Sequence, residues 1–121
     1  MKLSFVVPGN PVPKARARKG KGGHWHTPQK TIDYEQCIAW TARGAAIAPV
    51  HLRWPIDAEY RVTATCYFKD HRTRDVINVL MSVCDALKGV LYKDDVQVGE
   101  PRAKKMFDAK NPRLEVEVEV L

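Results

Sequence analysis

Residues 72–98 read R-T-R-D-V-I-N-V-L-M-S-V-C-D-A-L-K-G-V-L-Y-K-D-D-V-Q-V, and the fold depends on how this run divides. Val76, Val79, Leu80, Val83 and Leu87 recur at i, i+3, i+4, i+7 and i+11, the spacing of one helical face. Asp75 stands where an N-cap belongs, and Gly89 where a left-handed residue ends a helix. The run therefore predicts a helix over 75–88, about 20 Å long at ~1.5 Å per residue. Asp75, Asn78, Ser82 and Asp85 form a polar stripe beside the apolar one, and Asp94-Asp95 come after it, before a further strand. Asp75 and Asp95 meet only if the 89–93 connection runs back along the helix.

Outward from this run, 58–68 alternates Tyr60, Val62, Ala64, Cys66 and Phe68 with Arg61, Thr63, Thr65 and Tyr67, as a half-buried strand does. Residues 113–121 alternate as cleanly, with Leu114, Val116, Val118 and Val120 inward and glutamates outward. Residues 96–108 predict a strand interrupted at Gly99 and Pro101, and 2–7 predict a short strand stopped by Pro8. Thr27-Pro28 predicts a helix start, with a hydroxyl cap and proline at the first helical position. That helix runs to about Ala46 with Ile32, Cys37, Ile38, Trp40, Thr41 and Ala45 at roughly helical spacing. Residues 8–26, rich in glycine, proline and Lys/Arg, predict a long mobile loop. The order β-α-β-α-β-β implies an α/β (α+β) fold, a small mixed sheet with two helices in a single domain over 1–121.

A chain of 121 residues builds one core, and its apolar share of 45% is that of an ordinary globular protein. No run approaches the ~18 apolar residues of a membrane span, so no membrane partner is expected. The apolar start breaks at Pro8, before a signal sequence develops, and cytoplasm is the expected location. Cys37, Cys66 and Cys84 are widely spaced without a C-x-x-C pair, so they read as small packing residues rather than a zinc site. The formal charge of +6 is uneven. Lys14, Arg16, Arg18, Lys19 and Lys21 crowd one segment, Arg72 and Arg74 precede the helix, and Arg102, Lys104 and Lys105 come after it. Such cations suit a polyanion, where each neutralised phosphate adds salt-sensitive affinity. Trp25, Trp40, Trp54 and Tyr92 are candidates to stack on bases, although scattered aromatics more often anchor cores and loops.

Carboxylates gathered on a basic chain suggest a divalent ion beside a polyanion. Clustered carboxylates stay ionised chiefly when a cation compensates them. Oxygen donors suit Mg²⁺ or Mn²⁺, which also accept a phosphate oxygen. Simpler roles compete at each position: Asp75 as a cap, Asp85 as a surface partner of Lys88, and Asp94-Asp95 as a turn. Spacing alone leaves these alternatives open.

Two regions together resemble the RusA family of Holliday-junction resolvases, small dimeric endonucleases often carried by phages and prophages. The first is F-V-V-P-G-N-P-V-P-K-A-R-A-R at 5–18 with H-T-P-Q-K-T-I-D-Y-E at 26–35. The second is R-D-V-I-N-V-L-M-S-V-C-D-A-L-K-G-V-L-Y-K-D-D-V-Q-V at 74–98. The resemblance implies a homodimer that cuts four-way junction DNA with Mg²⁺ or Mn²⁺. It implies that Asp75 and Asp95 are catalytic and that Asp75, Asp85, Asp94 and Asp95 supply metal ligands. Lys14, Arg16, Arg18, Lys19, Lys21, Arg72, Arg74 and Lys93 would contact DNA. The chain departs from the family pattern at two places: Ile77 stands where the family has its second aspartate, and Met81 where it has a lysine. These positions are i and i+4, neighbours on one helical face, so a charged pair is replaced by an apolar one. The resemblance therefore implies attenuated cleavage, or branched-DNA binding without cleavage.

Overall fold

The structure, a computed structural model, describes residues 2–15, 17–47, 57–72 and 75–121, with the side chains of Arg18 and Ile47 excepted. The elements are β1 (Lys2–Pro8), β2 (Arg18–Lys19), β3 (Trp25–His26), α1 (Gln29–Ile47), β4 (Tyr60–Phe68), α2 (Val76–Leu87), a short 3-10 turn (Asp95–Gln97), β5 (Val98–Phe107) and β6 (Arg113–Val120). A four-stranded sheet has the order β1-β6-β4-β5, and β2-β3 forms a separate two-stranded hairpin. The expected mixed sheet with two helices is what forms. β6 pairs antiparallel with β1 and β4, whereas β4 and β5 are parallel. Parallel neighbours need a long crossover, and α2 provides it.

The core lies on one face of the sheet. Leu3, Phe5 and Val7 of β1, the residues Tyr60 to Phe68 at alternate positions of β4, and Leu114, Val116 and Val118 of β6 are buried there. Val79, Val83 and Leu87 of α2 pack into the same cluster, with Val76 and Leu80 partly buried at its margin. The opposite face is polar. There Lys2 meets Glu117 at 3.1 Å, Arg61 meets Glu100 at 2.6 Å and Glu119 at 3.0 Å, and Arg113 meets Glu115 at 2.7 Å. Exposed pairs of this kind add only ~0–1 kcal/mol each, so the hydrophobic face holds the sheet.

Four local expectations change. The helical stripe of α1 is Thr31, Tyr34, Ile38 and Ala42, all buried, while Cys37 and Trp40 face outward. The apolar side chains of α1 lie on several faces, so periodicity alone chose the wrong one. The helix also starts one residue later than Thr27-Pro28 suggests, with the Pro28 carbonyl accepting from the backbone N–H groups of Thr31 and Ile32. β5 is not interrupted. Its partners step from Tyr60–Val98 to Arg61–Glu100, so Gly99 is an extra residue in a bulge, and Pro101 sits on the outermost strand, where a missing N–H is tolerated. Finally, the 8–26 segment contains the β2-β3 hairpin, closed by Gly22 and Gly23 at φ +87° and +82°. Trp54 and Arg74 lie outside the described residues.

The thiols differ in environment. Burial pushes Cys66 up to about 12 and Cys84 up to about 11, whereas Cys37 is exposed on α1. The thiolate is the reactive form. Iodoacetamide at pH 8 is thus expected to label Cys37 in the native protein at least tenfold faster than the other two cysteines, read by peptide mass spectrometry; uniform labelling would contradict this packing.

Candidate functional site

The site is built around α2. Asp75 caps it: its Oδ1 accepts from the Asn78 backbone N–H at 3.1 Å, and its Oδ2 from the Asn78 side-chain amide at 2.7 Å. At the other end Lys88 is the C-cap, and Gly89 at φ +81° leaves the helix as expected. The chain then turns through Val90, Leu91 and Tyr92, all buried, before reaching the acidic pair. Asp94 caps the short 3-10 turn in a reciprocal capping box with Gln97. Topology separates the two acidic positions. In a strand–helix–strand crossover the helix begins beyond the carboxyl end of β4 and ends near the amino end of β5. Asp75 therefore lies at the start of α2, while Asp95 lies beside its later turns, in a groove with Met81, Cys84 and Asp85.

Two grooves flank α2, and Met81 borders both. The first, about 470 Å³, is lined by Lys14, Ala15, Ala17, Thr27, Asp75, Asn78 and Met81. The second, about 290 Å³, is lined by Ile77, Leu80, Met81, Cys84, Asp85, Asp95 and Pro101. The structure thus brings Asp85 and Asp95 together and places Asp75 in the neighbouring groove. The return along α2 is made by β5 itself, after Asp95, which is why Asp75 and Asp95 do not share a groove. Ile77 is 65% exposed and Met81 49% exposed, so these apolar groups stand free between the acidic ones.

Each carboxylate has its own environment. Asp85 does not take Lys88 as a side-chain partner; it is ion-paired to Lys14, whose ammonium also lies 3.4 Å from Glu35. Lys14 is held above the ordinary lysine range, chiefly by its hydrogen bond to Asp85. Its backbone N–H donates to the Asn78 carbonyl at 3.0 Å, and the Ala15 N–H donates to Thr31 Oγ1 at 3.1 Å. These bonds root the N-terminal segment on both helices. Glu35 and Thr31 were not singled out as site residues from sequence; their signal was the T-I-D-Y-E motif, where Thr31 and Glu35 are i, i+4 on one face. Asp94 and Asp95 interact mainly through a shared side-chain hydrogen bond, which holds Asp94 below the usual carboxylate range and Asp95 above it.

The cations of the expected DNA surface are spread over several elements. Lys19 and Lys21 are exposed on the hairpin segment, and Arg18 is in β2. Arg72 is exposed near Asp70 at 3.7 Å, and Lys93 is exposed beside the 3-10 turn, its backbone N–H bonded to Gln97 Oε1 at 2.9 Å. Arg16 and Arg74 lie outside the described residues. Ala17 and Thr27, which flank the hairpin in sequence, both line the Asp75 groove, so the basic arm springs from its rim. Among the aromatics, Tyr92 is fully buried and its hydroxyl donates to the Cys84 carbonyl, so it is a core residue rather than a base-stacking one. Trp40 is exposed on α1 with Arg43 over its ring at 5.8 Å, and Trp25 is exposed on β3.

A Mg²⁺ or Mn²⁺ ion needs oxygen donors converging on one point. Among the described residues no three His, Cys, Asp or Glu side chains gather in that way. Asp75 is engaged with Asn78, Asp85 with Lys14, and Asp94 with the Val96 N–H. Asp95 lines a groove whose α2 side chains include Ile77 and Met81. The donor set does not fit a metal caged by protein ligands alone.

A family model described as Endodeoxyribonuclease RusA matches residues 8–119, nearly the whole chain. No curated protein matches the chain closely.

Proposed function

Because the chain belongs to the RusA endodeoxyribonuclease family, we propose that it is a homodimeric, cytoplasmic endonuclease of four-way junction DNA that works slowly with Mg²⁺ or Mn²⁺. The observation that carries this reading is the arm rooted at the groove of Asp75. A phosphate backbone held by Lys19, Lys21 and their neighbours would be delivered to the carboxylates of α2. Lys14 stands between the arm and Asp85, with Asp75 and Asn78 across the same groove. The slow rate is attributed to Ile77 and Met81, which put two apolar side chains where a carboxylate and an ammonium would polarise the phosphodiester. A dimer suits the substrate, since a junction offers two symmetric strands to two sites.

Asp75→Asn tests the catalytic part. Asparagine is about as good an N-cap as aspartate, so the substitution removes the charge and keeps α2. Nicking of a labelled junction in Mg²⁺ or Mn²⁺ is expected to disappear, with junction affinity within about twofold of wild type. Undiminished cutting would sink the role of Asp75. A second reading, junction binding without cleavage, is favoured by the exposure of Ile77 and Met81. It expects a salt-sensitive junction complex that is never nicked in either metal.

A further inference from the structure

Trp25 packs against no core residue among the described residues. It is 69% exposed, lies outside the core cluster, and makes no ring stack or cation contact with any described residue. Its hairpin is short: Arg18 pairs with His26 and Lys19 with Trp25. The turn is held by the Gly20 N–H to the His24 carbonyl at 2.8 Å and the Gly23 N–H to the Gly20 carbonyl at 3.1 Å. The His26 ring folds over Gly20, where a Cβ would come within 3.1 Å of it. Successive strand residues point to opposite faces, so Trp25 projects from the side that His26 does not use. Beside it, Lys19 and Lys21 form no ion pair among the described residues. An aromatic ring raised between uncompensated cations suits a base flanked by phosphates.

From this placement we infer that Trp25 is the residue that selects branched over linear DNA, by stacking on an unstacked base at the junction's branch point. The inference rests on the reading of this chain as a four-way junction protein and names the contact that recognises the junction. In a linear duplex every base is stacked on both sides, and exposing one costs free energy. At a branch point the stack is already interrupted, so a rigid ring inserts there more readily, as apolar wedges do where DNA is kinked. The lysines bind phosphates in either substrate and give affinity without selectivity. The hairpin is rooted at the Asp75 groove, so a ring anchored at the branch point would set which phosphodiester reaches the carboxylates.

The test compares an immobile four-way junction with a linear duplex of the same sequence, by fluorescence anisotropy in EDTA at one ionic strength. Trp25→Ala is expected to weaken junction binding about tenfold, the scale of one lost aromatic–base stack, and to change duplex binding less than twofold. Trp25→Phe keeps a ring and should recover most of the junction affinity. Lys19→Gln with Lys21→Gln should weaken both substrates together. A 2-aminopurine at the branch point should be quenched by wild type and by Trp25→Phe but not by Trp25→Ala. If Trp25→Ala keeps the wild-type ratio of junction to duplex affinity, Trp25 is not the selector, although the junction reading stands. If wild type itself shows no preference for the junction, that reading fails and this inference fails with it.

Discussion

The double variant Ile77→Asp/Met81→Lys is expected to cut a four-way junction about 10²–10³ times faster than wild type, the usual scale of one preorganised electrostatic contributor. Both positions tolerate the change structurally. They are exposed, they lie one helical turn apart, and each lines the groove shared with Asp85 and Asp95. An aspartate at 77 with a lysine at 81 also forms an i,i+4 pair of the favourable orientation, worth ~0.2–0.5 kcal/mol to the helix. The single variants separate the contributions. Ile77→Asp alone adds a third carboxylate to the groove of Asp85 and Asp95, and should recover less than the pair. Met81→Lys alone supplies a cation that Asp85 or Asp75 can capture, and should also recover less. Initial rates of strand nicking, measured at equal junction occupancy with Mg²⁺ and with Mn²⁺, check this. A double variant no faster than wild type would mean that the apolar pair is not what limits cleavage.

Tyr92→Ala is expected to destabilise the protein by ~3–5 kcal/mol, the range for emptying a buried aromatic site. Tyr92 is fully buried, its ring lies 5.7 Å from that of Tyr60, and its hydroxyl donates to the Cys84 carbonyl of α2. Tyr60 in turn donates to the Leu91 carbonyl at 3.0 Å, so the turn after α2 is held from both sides. Burial holds the Tyr92 hydroxyl above the ordinary phenol range. Tyr92→Phe keeps the ring and loses only the hydrogen bond, at ~1 kcal/mol. Urea denaturation distinguishes the two: a similar loss for both variants would assign the effect to the hydroxyl rather than to packing. Because Tyr92 directly precedes Lys93-Asp94-Asp95, Tyr92→Ala should also disturb the acidic pair before the protein unfolds.

The parts of the fold that sequence revealed were those with one dominant physical cause. The alternation in β4 and β6 arises because one face meets the helices and the other meets water, and both strands appear within two residues of expectation. For α2, the stripe from Val76 to Leu87, the Asp75 cap and the Gly89 exit all point the same way. Where several causes compete, the reading failed. α1 carries Cys37 and Trp40 on a face that the core does not cover, so its apolar period was misleading. Pro101 looked like a break because sequence does not tell an outer strand from an inner one. The hairpin within 8–26 depends on glycine backbone geometry rather than on hydrophobicity, and left no periodic trace.

The candidate site divides in the same way. Residue types and their order were sufficient to suggest a RusA-type chain, to single out Asp75, Asp85, Asp94 and Asp95, and to expose the departure at Ile77 and Met81. These are one-dimensional properties: a side chain's chemistry and its offset along a helix do not depend on what packs against it. Tertiary structure alone decided which carboxylates share a groove. Parallel pairing of β4 with β5 sends α2 back across the sheet, which places Asp75 at one end and Asp95 alongside Asp85 at the other. It also decided that Lys14, 71 residues away in sequence, neutralises Asp85, because an ion pair between distant segments forms only after the chain has folded and brought both ends of that contact to one place.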